Sequence, residues 1–199
     1  MRQGLGDYLG LIRRYHRTLD LMSARGLVGL EPHLLDSLAY ADLIADTVPH
    51  DLRLLDLGSG VGLPGIPLAL SFPDRPIWLV ERRQRRAAFL RIAASQLGLA
   101  NVTVVAEDVR DLSTAAISCV SAQAVGRLIG VYCLTRHLHA DTVLLVSRKS
   151  ERWPDELAEL RGALPPDASR AEARTRPLAT HGTLLGVTLR GGLPCPSSV

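Results

Sequence analysis

The chain has 199 residues, 47% of them hydrophobic, enough to fill one sizeable core and not calling for a second full domain. Its 23 basic and 20 acidic residues leave a formal charge of +3, which permits an anionic partner without demanding one. Cys119, Cys133 and Cys195 are odd in number and lack CxxC spacing, which suggests neither a disulfide framework nor a zinc site and fits a reducing compartment. No apolar run approaches the roughly 18 residues of a membrane span, and charges interrupt the N-terminus too early for a signal peptide, so a cytoplasmic protein without membrane contact is expected.

Leu5, Tyr8, Leu9, Ile12, Tyr15 and Leu19 recur at helical spacing, while Arg13, Arg14 and Arg17 fall largely on other faces, predicting an amphipathic first helix. A second helical pattern runs through Leu34, Leu35, Leu38, Ala41 and Ile44 and ends before Pro49. From residue 52 the pattern changes to short apolar runs, RLLDLG, PIWLVE, NVTVV, AISCVSA and DTVLLVS, separated by helical stretches. Strands alternating with helices predict a parallel sheet whose right-handed crossovers cover both faces. The helices expected between them run from Ala87 to Leu97, closed by Gly98, from Val125 to Leu138, and around Pro154 to Gly162. LPPDAS marks a loop, and EARTRPL with HGTLLGVTLR reads as a closing pair of strands. The expected fold is a doubly wound α/β domain, mostly parallel with an antiparallel C-terminal strand. Residues 1–50 form a helical extension packed on it, 51–192 the domain itself and 193–199 a tail.

The stretch LLDLGSGVGLPG, residues 54–65, brings an apolar strand to Asp56 and then to Gly58, Gly60 and Gly62. Glycines there permit positive φ and let a cofactor approach the backbone closely. A nicotinamide dinucleotide site would show GxGxxG, but Leu63 stands where its third glycine belongs. Asp56, before the first glycine, would also repel a pyrophosphate. A cofactor bearing a sulfonium and an ammonium suits that acid better, and S-adenosylmethionine (AdoMet) is such a cofactor. Glu81 ends the second strand, where a carboxylate can accept both ribose hydroxyls, and Arg82 and Arg83 follow. After the third strand, Asp108 can take the adenine amino hydrogens while the Val109 amide addresses a ring nitrogen, although Asp108 alone could equally cap a helix. His137 and His139, two apart in a helical pattern, point away from each other, so no metal site is expected.

Three stretches resemble the RsmG (GidB) methyltransferases: PHLLDSL at 32–38, DLGSGVGLPGIPLAL at 56–70 and ERRQRRAAFLR at 81–91. The resemblance covers about Tyr8 to Arg190, and the LPGIPL tail of the glycine loop is its most specific part. It implies AdoMet contacts at Gly58 and Leu63 and at Val109 and Arg110. It also implies an arginine after the fourth strand, where this chain carries Gln123 in AQAVG. The first-helix stretch YHRTLDL and the SRKS after the fifth strand depart from the family too, Lys149 keeping a positive charge. The expected cofactor set is therefore Asp56, Gly58, Ser59, Gly60, Gly62, Leu63, Glu81, Arg82, Asp108, Val109, Arg110 and Gln123.

The activity implied by the resemblance is methylation of guanine N7 in bacterial small-subunit rRNA by a monomeric enzyme, acting on the RNA or the ribosomal subunit. N7 attacks through an in-plane lone pair and needs no proton removed, so no catalytic base is expected. His33, Arg83, Arg86, Arg148 and Lys149 are the candidates for RNA contact. Gln123 keeps open a divergent enzyme acting on a small molecule, and a non-catalytic AdoMet- or RNA-binding protein is the third reading.

Overall fold

The structure, a computed structural model, describes residues 2–48, 53–113, 116–164 and 171–190. The expected helix stop at Pro49, the domain boundary at 50/51, most of the LPPDAS loop, Cys195 and the 193–199 tail lie outside the described residues.

Three helices come first: α1 (Arg2–Tyr15), the single turn α2 (Ala24–Val28) and α3 (Leu30–Ala45). α1 buries Tyr8, Leu11 and Ile12 and exposes Arg13 and Arg14, as an amphipathic period requires. It stops four residues before Leu19, and the extra helix α2 begins where the Ser23 hydroxyl accepts from the Gly26 amide, an N-cap. Five parallel strands follow, β1 (Arg53–Leu57), β2 (Ile77–Val80), β3 (Val102–Val105), β4 (Ile117–Ala122) and β5 (His139–Lys149). Between and after them lie α4 (Gly65–Ser71), α5 (Gln84–Gln96), α6 (Leu128–Thr135) and α7 (Trp153–Ala163). The chain closes with β6 (Glu172–Pro177) and β7 (Thr183–Arg190), β7 lying antiparallel to both β5 and β6.

α4 was not among the expected helices, and its segment PGIPLALS carries two prolines. It forms because Pro64 is the N-cap and Pro67 falls in the first turn, where no backbone N–H is needed. The helix expected from Val125 begins only at Leu128 and gives way to a 3-10 turn at Arg136–Leu138. Cys119 is buried and free, whereas Cys133 is disulfide-bonded, which the cysteine spacing had not suggested.

The strand order is β3-β2-β1-β4-β5-β7-β6, so the chain reverses its winding between β1 and β4. Side chains alternate across this sheet and divide the core in two. Leu54, Ile77, Leu79, Cys119 and Leu144 pack with α1, α3, α4 and α5 on one face. Leu55, Leu57, Val80, Val120 and Leu145 pack with α6 and α7 on the other. Each fully buried leucine, such as Leu54 or Leu55, stabilises the fold by about 1.5–3 kcal/mol. The arrangement leaves the carboxyl ends of β1 and β4 diverging at the reversal, the place where open α/β sheets bind ligands.

Candidate cofactor and substrate site

A cavity of about 740 Å³ opens at that reversal. Its floor is the loop after β1, whose shape is set by Gly58, Gly60 and Gly62 at φ +67°, +59° and +96°. These angles disfavour any residue with a Cβ, which explains three glycines at alternate positions. The loop is pinned from below: the Gly58 and Ser59 amides donate to the Val80 carbonyl, and Tyr8 on α1 donates 2.7 Å to the Val61 carbonyl. Gly58, Ser59, Gly60 and Leu63 line the cavity, but Gly62 does not. A Cβ on Gly62 would sit 2.6 Å from Ile66 and 3.1 Å from Leu90, so this glycine serves the packing of loop on helix.

Glu81 lies directly after β2, lines the cavity and is only 5% exposed. One carboxylate oxygen accepts from the Gly60 amide at 3.0 Å and the other from the Arg83 amide at 2.8 Å. The residue thus ties the glycine loop to the start of α5. Each oxygen keeps a second lone pair for a ligand hydroxyl.

Asp56 stands differently from the expectation of a cofactor contact, for it is absent from the cavity wall. Strand alternation places it on the same face as Leu54, beneath α4, where it is 1% exposed. Ser121 of β4 donates 2.6 Å to its Oδ1, bridging the two strands that diverge above it. Its Oδ2 has no hydrogen-bond partner among the described residues. Burial pushes this carboxyl up to about 6 from its ordinary 3.8, against the opposing pull of the Ser121 hydrogen bond. A carboxyl raised in the folded state adds stability that is fully present below its unfolded value and is lost as pH rises through about 6. That displacement corresponds to about 3 kcal/mol. Between pH 4 and 7 the wild type should therefore lose about that much stability relative to Asp56→Asn, as read from urea midpoints. Parallel pH profiles for the two proteins would refute it.

Asp108 lines the cavity and also caps the 3-10 turn Val109–Asp111, so the capping role and the cavity position coincide. Its two oxygens hold Arg110 through Nε at 2.9 Å and Nη2 at 2.8 Å, and these bonds keep the carboxyl well below the usual carboxylate range. Arg82, Val109, Arg110 and Gln123 complete the expected cofactor group on the cavity wall. Of the RNA candidates, His33, Arg83 and Arg86 line it as well.

Lys149 requires a correction. Its side chain is 5% exposed and bonds Glu156 at 2.8 Å and the Gly126 carbonyl at 2.7 Å. Glu156 in turn accepts from the Leu128 amide at the start of α6. The lysine is committed to joining β5, α6 and α7, and a phosphate could reach it only by breaking a buried ion pair. Arg148, one residue earlier, lies outside the cavity wall beside His33, which is on it.

The cavity also has an apolar wall that none of the motifs indicates. Leu57 and Val80 close β1 and β2, and their place at strand ends in a parallel sheet was the available signal. Leu21 and Met22 come from the connection between α1 and α2, and only the tertiary fold brings them to the cavity.

The sheet order and a glycine cradle at its reversal define the class I AdoMet-dependent methyltransferase architecture. Solved structures agree at the level of fold. M. jannaschii TYW2 in complex with AdoMet matches with a TM-score of 0.60 at 15% identity, over 78% of this chain and 76% of that one. A SAM-dependent O-methyltransferase from Thermotoga maritima also gives 0.60 at 15% identity, over 78% and 64%. The profile of the family described as rRNA small subunit methyltransferase G matches residues 1–173. The "Ribosomal RNA small subunit methyltransferase G" of Sorangium cellulosum is 40% identical over 160 residues, covering 78% of this chain and 66% of that protein. The protein of the same name from Halorhodospira halophila is 38% identical over 161 residues, covering 80% and 75%. The chain belongs to the rRNA small subunit methyltransferase G family, the RsmG (GidB) family.

Proposed function

We propose that this protein transfers a methyl group from AdoMet to guanine N7 of small-subunit ribosomal RNA. The observation that carries the reading is the cavity at the β1–β4 reversal, floored by glycine backbone and walled by Glu81, Asp108 and arginines, in a member of this family. The cavity's volume lies in the range that encloses a nucleoside-sized ligand. AdoMet, when bound, supplies an electrophilic methyl group on a sulfonium. Glu81 would accept from its ribose hydroxyls while still holding the Gly60 and Arg83 amides. Asp108 and the Val109 amide, both on the cavity wall, would address the adenine edge, and the Gly58 and Gly60 backbone would admit the amino-acid end. Asp56 acts from beneath the loop, without direct contact.

In such a transfer the N7 lone pair would form the new N–C bond, and the electron pair of the broken C–S bond would stay with sulfur. No proton moves, so the protein needs no base. Its contribution is alignment of donor and acceptor and a field that tolerates positive charge passing from sulfur to the purine. An N–H donor placed on N7 would block the nucleophile, so Arg83 and Arg86 serve O6 or the phosphates. Such an enzyme works in the cytoplasm, where its substrate is. Val28 and Leu35 are the exposed large hydrophobics among the described residues, which favours a monomer. Among the described residues no helix is long and apolar enough to cross a membrane.

Comparing 7-methylguanosine in rRNA from cells with and without the protein tests the assignment. Loss of one modified nucleoside on deletion is expected, and an unchanged level removes the rRNA substrate. Gln123 lines the cavity where the family resemblance implies an arginine. Gln123→Arg should raise methyl transfer to small subunits by about tenfold, the value of one added charge-assisted hydrogen bond. Unaltered transfer would show that another residue fills that role.

A further inference from the structure

Arg148, His33, His181 and Asp36 meet beside the cavity mouth, drawn from β5, α3 and the β6–β7 loop. Asp36 is 2% exposed and bound to the β6–β7 loop: Oδ1 accepts from the Ala179 and Thr180 amides, Oδ2 from the Thr180 hydroxyl. It thereby fastens the β6–β7 loop onto α3. Gly182 permits that docking, because at φ +84° it passes so close to the Lys149 carbonyl that a Cβ would lie 2.4 Å from it. The loop in consequence carries His181 over the carboxyl end of β5, where Arg148 sits.

The guanidinium of Arg148 has an unusual set of neighbours. Asp36 Oδ2 lies 3.8 Å from both Arg148 and His33, at ion-pair distance without a hydrogen bond to either. The Arg148 N–H groups instead donate to the His33 ring at 3.1 Å and to the His181 ring at 3.0 Å. Guanidinium only donates, so His33 Nδ1, which faces it, accepts, while the two nitrogens of the His181 ring lie 3.1 and 3.0 Å from one Arg148 nitrogen. Burial and the Arg148 charge lower the His33 pKa, with Asp36 opposing and His181 adding to the lowering. Arg148 is 14% exposed on its side chain and has no hydrogen bond to a carboxylate among the described residues. A fixed cation thus has two ionisable rings turned toward it and one buried carboxylate held at 3.8 Å by its bonds to the β6–β7 loop. An anion placed among the three would accept from all of them, which neutral imidazole acceptors cannot match.

We propose that Arg148, His33 and His181 form an anion subsite that takes a backbone phosphate of the RNA whose guanine enters the adjoining cavity. The proposal rests on the RNA-methyltransferase reading above and specifies where the strand is gripped. His33, which also lines the cavity, links grip and target base. Binding is proton-linked: a phosphate between the rings favours their charged forms, so association takes up protons and tightens as pH falls from 8 to 6.

Two measurements decide it. In the first, inorganic phosphate is titrated into the AdoMet-loaded protein while the His33 and His181 ring resonances are followed by NMR from pH 5.5 to 8. Phosphate should raise the apparent pKa of both rings, and this effect should vanish in Arg148→Gln. Rings whose titration ignores phosphate overturn the subsite. In the second, methyl transfer to small ribosomal subunits is assayed for wild type and His181→Gln, a change on an exposed loop. His181→Gln should raise KM for subunits about fivefold or more at pH 6.5 and much less at pH 8, with AdoMet affinity unaltered. Equal KM at both pH values overturns the proposal. Absence of any transfer by the wild type would instead refute the RNA substrate, and the phosphate titration would still decide the anion subsite.

Discussion

Glu81→Ala is expected to weaken AdoMet binding by about 100-fold or more, as measured by titration calorimetry, with the far-ultraviolet circular dichroism of the fold retained. Two contributions add. The ribose loses its charged acceptors, each hydrogen bond to a charged group being worth about 1.5–3 kcal/mol. The Gly60 and Arg83 amides lose theirs as well, so the glycine loop and the start of α5 are no longer tied together. Glu81→Gln should behave similarly, because an amide NH₂ would face one of those two N–H donors. An affinity within threefold of wild type in both variants would remove Glu81 from the cofactor contacts.

Gly62→Ala should act on stability. The new Cβ meets Ile66 at 2.6 Å and Leu90 and Tyr8 at 3.1 Å, in a part of the core where those side chains are fully buried. Overpacking of this kind costs about 1–3 kcal/mol, and alanine at φ +96° adds roughly 1–2 kcal/mol more. For a chain of this size, a loss of about 3 kcal/mol lowers Tm by about 6–12 °C. Differential scanning calorimetry reads this directly, and a Tm within 2 °C of wild type would show that α4 moves away at little cost. The same residue separates two roles that the glycine spacing merged: Gly58 and Gly60 face the cavity, while Gly62 faces the core.

The strands were legible because buried parallel strands read as short apolar runs, and RLLDLG, AISCVSA and DTVLLVS leave little choice of period. The cavity was legible for the same reason, since ligands gather where such runs end. Legibility failed where a role depends on a partner far away in sequence. Lys149 reads as a free cation until Glu156 and the Gly126 carbonyl are folded around it. Asp56 reads as a ligand acid because the run of apolar neighbours hides which face of β1 it occupies. Asp36 sits in the motif that marks the family, yet its task of holding residues 179 and 180 belongs to a contact across 143 positions. Leu21 and Met22 carry no local signal at all.

That long contact sets an order of events during synthesis. The cavity wall is complete once the chain has been made to Leu134. The clasp between Asp36 and the β6–β7 loop, and with it the seat of His181, requires residues up to Gly182 and the pairing of β7 with β5. The residues that line the cavity therefore leave the ribosome before those that close the clasp, and because a domain folds as a unit both are fixed only when β7 has paired with β5.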